Sequence, residues 1–345
     1  MKAPYFVLFV FLLVACQKPV DQPRITGLLA DSAMVVSAHP LASEVGVAIM
    51  KKGGNAIDAA IATQFALSVV FPAAGNIGGG GFMVVRLKDG STATLDFREK
   101  APAAATTNMY LDKNGEVIPD LSLKGHLASG VPGSVDGMVE AHKKYGLLPW
   151  TDLVQPAIDL AANGFPLTER EAAWFNQAKE NLEKYNSVKP DFLIRDNWKG
   201  GDTIRWLAMA KTLELIRDKG RAGFYEGRTA ENLVAEMKKG KGLITLEDLK
   251  NYHATWREPL ISNYKEYKII SMPPSSSGGI CLLQLLKSVE AYPLKEWGFN
   301  SVKAIHLMTE AERRVFADRA KFLGDPDFFK VPVQQMLSPH YLNER

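Results

Sequence analysis

The chain has 345 residues, 46% of them hydrophobic and 23% charged, a balance that supports a packed core and excludes an intrinsically disordered chain. One large domain or two smaller ones fit that length. The formal net charge is only +3, with Lys and Arg interspersed among Asp and Glu, so the basic block that nucleic-acid binding needs is missing.

The N-terminus differs from the rest. Lys2 supplies a positive start and Tyr5 to Val14 an apolar run too short to span a bilayer, which predicts a signal peptide over residues 1–15 and hence export. The run ends in Leu13-Val14-Ala15-Cys16, which resembles the bacterial lipobox and predicts a lipidated Cys16. Acyl chains there would anchor the protein to a membrane in the periplasm or cell envelope. Residues 16–30 read as a tether and residues 31–345 as the folded domain. Of the two cysteines only Cys281 then remains, and in Ile280-Cys281-Leu282-Leu283 it reads as a small buried hydrophobe.

Residues 34–38 predict a strand, followed through His39-Pro40 by a helix that stops near Gly53-Gly54. Asn55, with Asp58 three residues on, predicts the cap of a helix that buries positions 57, 61, 65 and 69. Phe82 to Leu87 and Thr92 to Phe97, joined by Lys88-Asp89-Gly90, predict a hairpin. From about 133 the pattern is mostly helical, with Thr151 as an N-cap, Gly164 as a stop, and capping boxes at Thr168/Glu171 and Thr245/Asp248. Tyr267 to Met272 reads as a buried strand. Ser301 opens a long helix with apolar positions 304, 308, 311, 315 and 322 and an outer Glu310–Arg314 pair. Strands and helices mix throughout, which points to a layered α/β fold.

Several chemistries find no support. The six His residues (39, 126, 142, 253, 306 and 340) are too scattered for a metal pair, and there is no CxxC. The glycines at 78–81 precede a strand instead of following one into a helix, which argues against a phosphate loop. No Gly-x-Ser-x-Gly elbow occurs, and Ser262-Asn263-Tyr264-Lys265 lacks the partner motifs that Ser-x-x-Lys enzymes need.

Taken in order, several runs resemble the γ-glutamyltransferase family (glutathione hydrolases) among the N-terminal-nucleophile hydrolases. They are Ser37-Ala38-His39-Pro40-Leu41-Ala42, Gly54 to Ala60, Gly78-Gly79-Gly80-Gly81-Phe82, Asp96-Phe97-Arg98-Glu99-Lys100-Ala101-Pro102, Gly130 to Ser134, Met272 to Gly279, and Ala317-Asp318-Arg319 followed by Leu323-Gly324-Asp325-Pro326. The resemblance covers the large-subunit region and implies a four-layer αββα sandwich, incomplete without the small-subunit region. It implies γ-glutamyl transfer from glutathione and similar compounds to water or an acceptor amine, amino acid or peptide. The nucleophile would be a Thr freed by autoproteolysis, with its own α-amine as base. No residue before Arg345 matches that Thr, so the resemblance places it beyond this chain and implies that this segment alone is inactive. The implied partners are a γ-glutamyl substrate and a small subunit from the same precursor, with no cofactor and no metal.

Arg98 is the one substrate contact that carries over, against the α-carboxylate of the γ-glutamyl group, a task suited to a guanidinium's planar fork. From its spacing alone, Arg98 reads as a strand-end partner of a neighbouring acid such as Glu99 or Asp96. Gly78 to Gly81 read as sites of tight chain packing, Ser275 to Ser277 as a turn with local side-chain bonds, and His39 as structural. Asp318, Arg319 and Asp325 read as an ion-pair cluster supporting the last helix. Two alternatives share the motifs: a glutaryl or cephalosporin acylase-like hydrolase, and a non-catalytic lipoprotein that kept the fold. A fold lacking its partner strands predicts unpaired sheet edges and exposed apolar faces.

Overall fold

The computed structural model describes residues 27–193 and 195–345; the signal peptide, Cys16 and most of the tether lie outside them. The chain divides into two units, residues 1–34 and 35–345. In the first, the described residues 27–34 are exposed and form no helix or strand.

The expected strand at 34–38 does not form. The alternation is there, with Val35 against the core and Val36 82% exposed, but no strand among the described residues offers the hydrogen bonds that would make a ladder. Helix α1 (Pro40–Lys51) then starts at His39, whose Nδ1 accepts from the Leu41 N–H at 3.2 Å. Helix α2 (Ala56–Val70) carries the expected capping box, and Asp58 also accepts from the Leu147 and Leu148 N–H groups. Ile57, Ile61, Phe65 and Val69 are buried, as are Ala59, Ala62 and Ala66. A helix apolar on nearly all sides belongs in the centre, and α2 packs against both α1 and α4 (Trp150–Asn163).

The hairpin forms as expected from β1 (Phe82–Arg86) and β2 (Thr92–Asp96), in the register Val84↔Thr94. The far edge of β2 pairs with β5 (Thr255–Arg257), setting Leu95 opposite Trp256 in a three-stranded antiparallel sheet. Helix α3 (Ser134–Tyr145) crosses beneath the end of β2. Helix α4 starts at Trp150, one residue before the predicted cap Thr151. The Trp150 indole donates to the Ile216 carbonyl at 2.9 Å and packs edge-on against Phe65, so tertiary contact draws it into the helix. Gly164, at φ 84°, ends α4 as predicted.

The strand pair β3 (Phe165–Pro166) and β4 (Thr203–Ile204) flanks α5 (Glu169–Tyr185), which is capped by Thr168 and Glu171. Then follow α6 (Leu207–Lys219), α7 (Gly227–Lys239) and α8 (Leu246–Asn251), the last capped by Thr245 and Asp248. Among the described residues β6 (Leu260–Tyr264) and β7 (Tyr267–Ser271) pair only with each other, so β7 is half covered instead of buried, and Tyr267 is 61% exposed. Helix α9 (Gly278–Val289) packs on this hairpin and on α10 (Val302–Phe322). Ala304, Ala311 and Val315 of α10 turn inward, while Met308, at 49% exposure, does not. The Glu310–Arg314 pair forms at 2.8 Å. Val302, Ile305 and Phe316 leave an apolar face of α10 open, and β1 has an unpaired outer edge among the described residues.

Candidate functional site

At the end of β2 the chain turns sharply into the open. Gly81 and Phe97 exchange two backbone bonds (3.0 and 3.2 Å), which carry the pairing one residue past the strand. The Phe97 ring is buried and lies against Gly81 and Gly137 of α3. Gly133 leaves room where the Phe97 carbonyl and the Tyr252 hydroxyl approach, and a side chain at Gly80 would strike the backbone of Phe97 and Glu99. The tight packing expected of the glycine run thus holds at Gly80 and Gly81. With Phe97 seated inward, Arg98 must point outward.

Arg98 lines a cavity of about 540 Å³ together with Asp96, Lys100, Arg257, Ser275 and Arg319. Its backbone is held at both ends: the N–H donates to Asp96 Oδ1 at 3.1 Å, and the carbonyl accepts from the Tyr252 hydroxyl at 2.8 Å. Its guanidinium has no ion pair or hydrogen bond among the described residues. The strand-end alternative does not form: Asp96 is engaged elsewhere, and Glu99, which also lines the cavity, makes no bond to Arg98 among the described residues. Asp96 Oδ2 accepts from Arg257 Nε at 2.8 Å and from Ser275 Oγ at 3.1 Å. Arg257 in turn grips Asp327 with both terminal nitrogens, at 2.9 and 3.0 Å.

The charges follow from these contacts. The bond to Asp327 and then that to Asp96 hold the Arg257 guanidinium firmly protonated, and Arg257 holds the Asp327 carboxyl below the usual carboxylate range. Burial pushes the Tyr252 phenol far up, so at neutral pH it remains a donor to the Arg98 carbonyl. The Arg98 guanidinium, exposed, without a partner among the described residues and carried on a fixed backbone, has the planar donor pair that suits a carboxylate.

The other predicted residues sort differently. Asp318, Arg319 and Asp325 do not form a cluster. Asp318 pairs with Arg345 at 3.0 Å and accepts from Gln284, Arg319 donates to Ser277 Oγ at 3.0 Å, and Asp325 caps the Asp327 N–H at 3.0 Å. Neighbours on a helix point about 100° apart, so Asp318 and Arg319 face different surroundings. The serine run is only partly a local turn. Ser276 bonds locally to Gly278, but Ser275 and Ser277 reach Asp96 and Arg319 across the cavity. His39 is structural: it is buried, caps α1 and donates through Nε2 to Glu171 at 2.9 Å. Ser262 and Lys265 sit in and after β6 at the turn of a hairpin. Cys281 is buried, and burial raises its thiol pKa. No group of three or more potential metal-ligating side chains occurs among the described residues.

Sequence reasoning missed Arg257, Tyr252 and Asp327. Nothing local marks the first two; Asp327 stands one residue beyond the Leu323-Gly324-Asp325-Pro326 run, the only hint available.

The family model described as Gamma-glutamyltranspeptidase matches residues 42–345. A glutathione hydrolase proenzyme of Pseudomonas sp. (strain A14) is 46% identical over 314 residues, which cover 90% of this chain and 55% of that protein. The crystal structure of Helicobacter pylori gamma-glutamyltranspeptidase superposes with a TM-score of 0.89 at 46% identity, over 92% of each chain. More distant is an Acylase ACY 1 proenzyme of Pseudomonas sp. (strain V22), 36% identical over 341 residues, covering 95% of this chain and 61% of that protein. The chain spans about half the length of the curated relatives it matches. Its fold is that of the N-terminal-nucleophile hydrolases to which these neighbours belong, with mixed helix and sheet as the sequence predicted.

Proposed function

The chain belongs to the gamma-glutamyltranspeptidase family, and on that premise we propose that it supplies the carboxylate anchor of an enzyme that moves γ-glutamyl groups. The donors are glutathione and other γ-glutamyl compounds, and the acceptor is water or an amine, amino acid or peptide. One observation carries this reading: among the described residues the Arg98 guanidinium has no partner, while both carboxylate oxygens of the neighbouring Asp96 are engaged.

In the mechanism, Arg98 takes the α-carboxylate of the γ-glutamyl group bidentately, and its clamped backbone fixes where the γ-carbonyl must lie. The nucleophile is a threonine hydroxyl, in sequence beyond Arg345, exposed by self-cleavage of a precursor into large and small subunits. Its α-amine accepts the hydroxyl proton, the oxygen bonds to the γ-carbonyl carbon, and the amide C–N bond breaks with return of the proton to the leaving amine. Water or an acceptor amine then releases the acyl group. We assign this chain, without that threonine, no turnover of its own. The reading also takes Cys16 as a lipid-bearing anchor that holds the exported protein in the bacterial periplasm or cell envelope.

The test uses the full-length protein with γ-glutamyl-p-nitroanilide. Replacing Arg98 with Ala is expected to raise KM about 30- to 150-fold, the loss of about 2–3 kcal/mol of charge-assisted hydrogen bonding, while self-cleavage proceeds. Equal kinetics in mutant and parent would remove Arg98 from the site. Faster release from glutaryl-p-nitroanilide would favour the acylase-like reading, since a glutaryl group keeps the carboxylate and lacks the α-amine. No self-cleavage and no turnover would favour a non-catalytic binding module.

A further inference from the structure

The interest of the cavity lies in what keeps Arg98 unpaired. Asp96 and Arg98 are two residues apart at the end of β2 and line the same cavity, an arrangement in which a carboxylate and a guanidinium ordinarily pair. Asp96 is only 7% exposed, and a carboxylate that poorly hydrated is strongly driven to find a cation. Were that cation Arg98, the substrate carboxylate would have to displace it.

We propose that Arg257 is a positioning residue for the carboxylate site, one that neutralises and orients Asp96 so that Asp96 does not compete with substrate for the Arg98 guanidinium; the proposal rests on the assignment of Arg98 above. Three features support it. Arg257 is held independently of Arg98: it sits opposite Thr94 in the β2–β5 register, and its carbonyl accepts from Thr94 Oγ1 at 2.6 Å. Its two terminal nitrogens are committed to Asp327, which leaves Nε, and only Nε, aimed at Asp96 Oδ2. With Oδ2 so engaged and bonded to Ser275 as well, Oδ1 is turned to the Arg98 N–H, fixing the backbone that carries the guanidinium. Arg257 thus acts on the substrate through Asp96, without touching it. Lysine would restore charge but not three directed donors.

The experiment compares competitive inhibition of the full-length enzyme by L-glutamate and by its α-amide, isoglutamine, which differ in the group Arg98 would bind. In the parent, L-glutamate is preferred. R257Q is expected to raise KM for γ-glutamyl-p-nitroanilide about tenfold with little change in kcat, and to cut the preference for L-glutamate about tenfold, the size of one charge-assisted hydrogen bond. D327N, which loosens Arg257 from its far end, shifts both in the same direction by less and covers the case in which R257Q does not fold. Adding D96N to R257Q returns most of the preference, because an amide does not capture a guanidinium, and R257K falls between parent and R257Q. A purely structural role would weaken both inhibitors alike; that outcome, or an unchanged preference in R257Q and D327N, overturns the proposal. R98A separates the two levels: if it abolishes the preference while R257Q and D327N do not, only the role of Arg257 fails, and if R98A keeps the preference, the assignment of Arg98 fails as well.

Discussion

Arg221 offers the sharpest test of what holds the site's foundation together. Asp136 of α3 has a side chain 1% exposed, and that of Arg221 is 18% exposed. Asp136 Oδ1 accepts from Arg221 Nε and Oδ2 from the Ala254 N–H, both at 2.7 Å. The same guanidinium donates to the carbonyls of Lys250, at 3.0 Å, and Tyr252, and lies 4.5 Å from the Tyr225 ring centroid. Tyr225 stacks on Tyr252, whose hydroxyl holds the Arg98 carbonyl, so the pair braces the loop under the cavity. Replacing Arg221 with Met leaves a buried carboxylate with one backbone donor. Such an orphaned charge costs about 3–5 kcal/mol, and the remaining donor and partial water access argue for about 3 kcal/mol. For the unit Val35–Arg345, ordinary unfolding entropies turn that into a fall in Tm of about 4–5 °C. Calorimetry at pH 7 measures it. The double variant R221M/D136N, which removes the stranded charge, should recover about 1–2 kcal/mol. A single variant that melts with the parent, or a double variant that melts below the single one, would refute the view that burial of the Asp136 charge dominates.

Three further outcomes are expected. Gly137→Ala should lower the unfolding free energy by about 1–3 kcal/mol through overpacking, read as a lower urea midpoint, despite alanine's better helix propensity, because the new methyl meets the Phe97 ring and its Cβ at 2.6 Å; a raised midpoint would show that Phe97 yields freely. Asn55→Ala removes the cap of α2 and the bond from Asn55 Nδ2 to the Tyr145 carbonyl at 2.7 Å, and should cost about 1–2 kcal/mol in the same assay, a loss that an unshifted midpoint would disprove. The Glu236 carboxyl is held down to about 2, first by Ser187 and then by His126, against an ordinary value of 4.5. Its folded pKa is depressed, so its stabilisation is complete above pH 4.5 and lost as pH falls from there toward 2. With a third of the side chain exposed, solvent screening reduces that stabilisation to about 1 kcal/mol. Melting curves across this range should therefore fall more steeply for the parent than for E236Q, and equal slopes would count against the Ser187–Glu236–His126 tie.

Features whose causes lie within about four residues of one another were legible in the chain alone. Asn55 with Asp58, Thr168 with Glu171 and Thr245 with Asp248 each close a capping box inside one helical turn, and Lys88-Asp89-Gly90 turns the hairpin with Asp89 Oδ1 accepting from the Ser91 N–H at 2.9 Å. These groups meet whatever the rest of the chain does. The ordered motifs likewise pointed to Arg98. Other features depend on partners far along the chain and were not legible there. Residues 34–38 alternate like a strand yet find no neighbouring strand among those described, β7 has a single partner and stays half exposed, and Trp150 is drawn into α4 by Ile216 and Phe65. The unpaired state of Arg98 is of the same kind. Arg257 and Tyr252 reach the end of β2 across 161 and 154 residues, and no spacing rule connects positions so distant. Whether Asp96 competes for Arg98 depends on where Asp96 is engaged, and that is settled only when the β2–β5 pairing and the Arg257–Asp327 bond bring Arg257 to it.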